Sequence, residues 1–294
     1  MLESSSLSID DDFFAPYRRE TGAGRKRHVA QAFATISWFH QVRLECRATS
    51  VYQLATAFGD PDASRSGPTA GDKTKWRGYK HGSHTPSDVV VCRVEGRCKK
   101  GTGILRHVLW SALGLPELTA DGVMSILVRL DPDIYGIAWR CMTAGTGQLS
   151  RGDGWDDIRI SMLERRAWLD ALAALILAAR WAKTNGHERS NHKLCGAICR
   201  TLLVLGPWLY NHGVARPLVE FVEHTVLVDG GWYGRRHQFW SHGYMNGLRS
   251  LVAAASYIDR RSPRRSEADQ IKLLRELVAG GHGAGRHCLV VDAE

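Results

Sequence analysis

The run Leu169-Asp-Ala-Leu-Ala-Ala-Leu-Ile-Leu-Ala-Ala179, flanked by Arg165, Arg166 and Arg180, decides the class of fold. It is apolar except for Asp170 and falls short of the ~20 residues that span a bilayer. It therefore reads as a buried helix of a soluble protein. Three long helical patterns build outward from it: Ile158 to Lys183, His192 to Tyr210 with Pro207 as a kink or break, and Val214 to Val228. A fourth runs from about Gln238 to Ile258, with Trp168, Trp181, Trp208 and Trp240 as core or subunit-interface residues. Arg260 to Arg265 reads as a basic linker. Ser266-Glu-Ala-Asp269 then has the spacing of a capping box opening a last amphipathic helix through Val278.

Upstream of this bundle, the Gly-rich stretch from Ala144 to Gly154 is the expected domain boundary. Residues 1–28, acidic and then basic, read as a flexible arm. Residues 29–143 form the expected basic domain, 155–260 the helical domain, and 261–294 the linker, last helix and tail. Within the basic domain, Phe33, Ile36, Trp38, Phe39 and Val42 recur at helical intervals between Val29 and Arg43. Thr49 or Ser50 caps a second helix with Val51, Leu54, Ala55 and Phe58 on one face, and Gly59 ends it. After a loop over residues 60–72, a short helix is expected from Asp72 to Tyr79, capped by Asp72 and stopped by Gly82. Another short segment runs from Thr85-Pro86-Ser87 through Val94. A helix from Ile104 to Leu113 follows, and residues 117–139 hold one more helix and a strand or short helix. The fold class is thus mainly α, with no repeat at solenoid spacing.

The 294 residues carry a formal net charge of +9 and a pI near 9.3. Clustered Lys and Arg raise the local potential and release counterions from a phosphate backbone, so a polyanion is the natural partner. The imbalance is greatest between Lys73 and Arg106, where Lys75, Arg77, Lys80, Arg93, Arg97, Lys99 and Lys100 also lie, against only Asp88 and Glu95. Trp76 and Tyr79 interleave with these cations. Seven scattered cysteines and an N-terminus without a basic, apolar export signal are read as reduced thiols in a cytoplasm.

Leu54-Ala55, Gly59, Trp76, Gly82 and Pro86 together resemble the phage-repressor-like helix-turn-helix family over about residues 31–96. In that family a Leu-Ala helix packs across a second helix that enters the major groove. The resemblance implies a recognition helix at Asp72 to Tyr79, with Lys73, Lys75 and Arg77 facing DNA, Lys80 and His84 on the backbone, and Trp76 packed inward. Lys99 and Lys100 extend the basic surface. The chain departs from the family pattern by inserting about a dozen residues between Gly59 and Asp72.

Catalytic signatures are weaker. Arg235, His237, His242 and Tyr244 bring general acid–base and phosphate-stabilising groups into one span, the pattern of a metal-independent nuclease-type toxin. On a helix, His237, His242 and Tyr244 do not share one face. His187, His192, Cys195 and Cys199 have metal-ligand types but not zinc-finger spacing. Asp153, Asp156 and Asp157 are explained as acidic caps of the helix beginning near Ile158. Cys98, beside Lys99, occupies a setting that lowers a thiol pKa. No Gly-x4-Gly-Lys-Ser/Thr or Gly-x-Ser-x-Gly occurs. The expectation is a nucleic-acid-binding protein rather than an enzyme, without metal or cofactor, binding DNA or RNA as a regulator or as a subunit of a nucleoprotein assembly. It is expected to be a homodimer or part of a larger assembly, cytoplasmic and nucleoid-associated, with no membrane partner. The other readings are the nuclease and a non-catalytic protein that binds an acidic partner.

Overall fold

Val29–Glu45 forms the first helix, α1, its N-terminus capped by the His28 side chain, which accepts from the Ala30 amide. The computed structural model describes residues 28–59, 67–98, 101–115, 117–143, 149, 155–227, 240–261 and 266–278, with the backbone alone at 101–102, 240–242, 255–261 and 267–268. The chain divides into two compact units, one ending at Arg106 and the other beginning at His107. All regular structure among the described residues is helical, and none of their helices is long and apolar enough to cross a membrane.

The first unit continues with α2 (Val51–Phe58), α3 (Ala70–Lys80), α4 (Asp88–Glu95) and α5 (Gly101–Leu105). Ser50 caps α2 by accepting from the Gln53 amide, and Gly59 is the C-cap. α1 packs on α3 and α5, α2 packs on α3 and α4, and α4 packs on α5. Their shared core holds Trp38, Phe39, Val42, Leu54, Ala55, Phe58, Trp76, Tyr79, Val94 and Cys98. The expected helix from Ile104 to Leu113 is instead broken at Arg106-His107. There His107 turns its Nδ1 onto the Leu109 amide and so starts a new helix.

The second unit contains α6 (Val108–Gly114), α7 (Ala120–Leu127), α8 (Pro132–Thr143), α9 (Asp157–Arg166), α10 (Leu169–Thr184), α11 (Glu188–Asn211), α12 (Ala215–Val222), a π-helical turn at Glu223–Leu227, α13 (Trp240–Arg261) and α14 (Glu267–Val278). α10 is the expected buried helix. Leu172, Leu175, Ile176 and Leu177 are fully shielded, and each such side chain contributes roughly 1.5–3 kcal/mol by leaving water. It packs against α6, α8, α9 and α11. Because α6 and α8 join α10, residues 107–143 belong to this unit, and the division lies well before the Gly-rich stretch that composition singled out.

Two polar links hold α6 to α10. Arg180 donates to the Ala112 and Leu115 carbonyls at the end of α6, at 2.7 and 2.5 Å. Asp170 accepts from His107 Nε2 at 3.2 Å and from the Asp131 amide at 3.2 Å. With Nδ1 accepting from the Leu109 amide, Nε2 is the ring nitrogen that faces Asp170.

One local expectation is corrected, and two are narrowed among the alternatives they left open. The pattern from Ile158 to Lys183 is two helices, because Ala167 adopts a left-handed conformation at φ 35° and ends α9. α11 continues through Pro207 to Asn211 rather than breaking there. Residues 117–139 hold two helices and no strand among those described. The Ser266 capping box forms as expected, with reciprocal bonds between Ser266 and Asp269, and Asp156 caps α9 through the Arg159 amide.

Candidate nucleic-acid interface

α3 begins at a capping box one turn earlier than its sequence suggests. Thr69 is the cap and accepts from the Asp72 amide at 3.1 Å, while the Asp72 carboxylate returns to the Thr69 amide at 3.2 Å and its hydroxyl at 2.7 Å. Asp72 is therefore the third residue of the helix rather than its cap, and it is buried. The reciprocal bonds satisfy two of the amide groups that every helix start leaves open.

The inner face of α3 is fixed by aromatic rings. Trp76, 2% exposed, stacks on Trp38 at 5.7 Å and 15° and meets Tyr79 edge-on at 5.5 Å. Phe58 and Phe39 tilt against it at 5.8 and 6.2 Å. Trp76 is packed inward, as expected. The helix ends at His81, and Gly82 follows at φ 69°, a conformation that favours glycine. A Cβ at Gly82 would also press on Ala32 and Ile36 of α1, at 3.0 Å from each.

Lys75, Arg77 and Lys80 are exposed, and Lys73 is half-buried. Successive residues turn by about 100°, so Lys73, Arg77 and Lys80 form one row and Lys75 lies on the opposite flank of α3. None of the four forms an ion pair among the described residues. Lys73 Nζ instead stands 5.1 Å from the centre of the Tyr52 ring, itself 53% exposed. Tyr52 was not singled out by sequence reasoning. Its signal was an aromatic residue off the apolar face of Val51, Leu54, Ala55 and Phe58.

The His84 ring folds back over Gly78, where a Cβ would collide with it, so His84 is held against the end of α3. Desolvation and the Lys80 charge push the His81 imidazole below its ordinary pKa, favouring its neutral form. Lys99 and Lys100 lie outside the described residues.

Other cations of the basic stretch are engaged within the unit. Arg93 donates to the Phe58 and Gly59 carbonyls at 3.0 and 2.6 Å, and Arg97 donates to the Ala57 carbonyl at 3.0 Å while lying 5.7 Å from the Phe58 ring. Both close the C-terminus of α2, where unsatisfied carbonyls and the helix dipole favour a cation. Arg106 pairs with Asp88 at 2.9 Å, both largely exposed.

The second candidate cluster is not assembled by the described residues. Arg235 and His237 lie outside them, and His242 is placed only as a backbone position on α13. Tyr244 is buried, its hydroxyl donating to the Leu202 carbonyl at 3.0 Å, and desolvation raises its pKa strongly. It joins α13 to α11. No group of three His, Cys, Asp or Glu that could hold a metal occurs among the described residues, and Cys195 instead contacts Asn191 Oδ1 at 3.4 Å. Cys98 is corrected in sign. Burial first, then its contact with Cys46, pushes its thiol up to about 12, outweighing the nearby Arg97.

No family model matches the chain. No solved structure matches it either.

Proposed function

We propose that the first unit binds nucleic acid, DNA in the first instance, and that α3 is the segment that meets it. The observation that carries this reading is the division of labour among the cations. Arg93, Arg97 and Arg106 are engaged inside the unit, whereas Lys75, Arg77 and Lys80 project from a helix whose inner face is pinned by Trp76 and Tyr79. A pre-set helix places its cations on phosphates without first having to order itself, and its width suits the major groove.

The packing of α2 on α3 supports the helix-turn-helix reading, with α2 as the supporting helix and α3 as the reading helix. The protein would act as a regulator or as a nucleoprotein subunit, cytoplasmic and nucleoid-associated, with the second unit serving for self-association or partner docking. Footprinting separates a sequence-reading regulator from a subunit with little sequence choice.

The direct test measures the affinity of the full chain for single- and double-stranded DNA and RNA across a salt series. Each phosphate contact contributes about 0.9 to the slope of log affinity against log salt for duplex DNA. Replacing Lys75, Arg77 and Lys80 together with Ala flattens that slope by up to about 2.7, and weakens binding at low salt. Binding to none of the four nucleic acids at low salt, or an unchanged slope in the triple variant, would remove the proposal.

A further inference from the structure

The ends of α1 and α4 bring two thiols together in the first unit. Cys46 is the C-cap of α1, its amide bonded to the Val42 carbonyl at 3.0 Å, and Arg47 then turns the chain at φ 51°. Cys98 follows α4, its amide bonded to the Val94 carbonyl at 2.8 Å. Val42 and Val94 share one core, so the two helix ends converge. The sulfur atoms lie 3.1 Å apart across 52 residues of sequence. A covalent disulfide is about 2.05 Å long, so bonding requires closure by about 1 Å.

We propose that Cys46 and Cys98 are a redox modification site: a dithiol that low-molecular-weight disulfides such as oxidised glutathione convert to an internal disulfide. The asymmetry of the pair sets the order of events. Cys46 is exposed and Cys98 is 1% exposed, so an external disulfide reaches Cys46 first.

The Cys46 thiolate attacks one sulfur of oxidised glutathione, forming a mixed disulfide and releasing one glutathione thiolate. The Cys98 thiolate then attacks Cys46 Sγ, breaking the mixed disulfide and releasing the second glutathione. The two protein thiols lose two electrons and two protons, and two glutathione thiols gain them. Burial keeps Cys98 largely protonated, as its pKa of about 12 indicates, which makes the second step slow and faster at alkaline pH. Capture of Cys46 in the mixed disulfide removes the hydrogen bond and the charge by which it raises the Cys98 pKa.

Cys92 provides an internal reference. It is exposed on α4 and accepts glutathione from the same reagent. The full-length protein is incubated with oxidised glutathione, remaining thiols are alkylated, and peptides are mapped by mass spectrometry in native and urea-unfolded samples. In the native protein the adduct at Cys46 is transient and gives way to a Cys46–Cys98 cross-link, while the adduct at Cys92 persists.

Dithiothreitol reverses the cross-link, its formation accelerates as pH rises, and urea slows it relative to other cysteine pairings. Cys46→Ser changes an exposed helix-end residue, removes the cross-link, and abolishes the rise in thermal midpoint that the same oxidant gives the wild type. An adduct at Cys46 that persists as long as that at Cys92 would overturn the proposal. A cross-link no more frequent in the native than in the unfolded protein would do the same.

Discussion

Replacing Trp76 with Ala tests whether α3 is held rigidly enough to act as a platform. A tryptophan buries about 150–250 Å², worth about 4–6 kcal/mol at roughly 25 cal/mol per Å². Trp→Ala substitutions in cores generally cost about 3–5 kcal/mol, so the two estimates meet near 4 kcal/mol. The surroundings of Trp76 favour the upper part of that range. Trp38, Tyr79, Phe58 and Phe39 all contact its ring, and large side chains from three different helices cannot collapse together into the space it leaves. For a domain of this size each kcal/mol moves the thermal midpoint by about 4–8 °C, so the first unit should lose about 15–30 °C.

The assay is thermal unfolding followed by near-ultraviolet circular dichroism, with amide exchange read separately over residues 67–98. Trp76→Phe, which keeps a ring in the cluster, should lose less than half as much. A midpoint for Trp76→Ala within a few degrees of the wild type would refute the reasoning. So would unchanged exchange protection in α3.

Two further outcomes follow from contacts within each unit. Arg93→Ala leaves the Phe58 and Gly59 carbonyls without their charged donor and should cost about 1.5–3 kcal/mol in chemical denaturation, while changing the salt slope of DNA binding by less than about 1. Asp170 is desolvated, which raises its carboxyl pKa, but the hydrogen bonds from His107 and from the Asp131 amide outweigh this, and the net pKa is lowered. A carboxyl depressed in the folded state stabilises it fully above the unfolded value near 3.9, and loses that contribution as pH falls through the folded value. Acid titration of unfolding should therefore show stability falling below about pH 4, and Asp170→Asn should flatten that part of the curve.

Features governed by a few neighbouring residues were legible in the sequence. The buried α10 and the Ser266 capping box follow from the apolar run and from residue spacing, Ser50 is one of the two cap residues expected for α2, and the inward Trp76 is what the resemblance implied. The start of α3 was misplaced because Asp72 has the chemistry of a cap, and only the geometry reveals that Thr69 holds that position and Asp72 answers it. Ala167 ends α9 in a conformation that its side chain does not advertise. The greatest gap concerns long-range partners. Arg93 and Arg97 look like phosphate ligands until the end of α2 is found beneath them, and Cys98 resembles an activated thiol beside Lys99 until its burial and its approach to Cys46 are known.

The guanidinium groups of Arg93 and Arg97 are committed as donors, but the oxygens they meet among the described residues are peptide carbonyls rather than carboxylates. Neutral carbonyls leave each guanidinium its positive charge. On the proposed function, the first unit would draw a polyanion from a distance with more cations than it can offer on contact. Capture and residence would then answer to different residues: Arg93 and Arg97 would add to the rate of encounter, while Lys75, Arg77 and Lys80 would govern how long the proposed complex lasts.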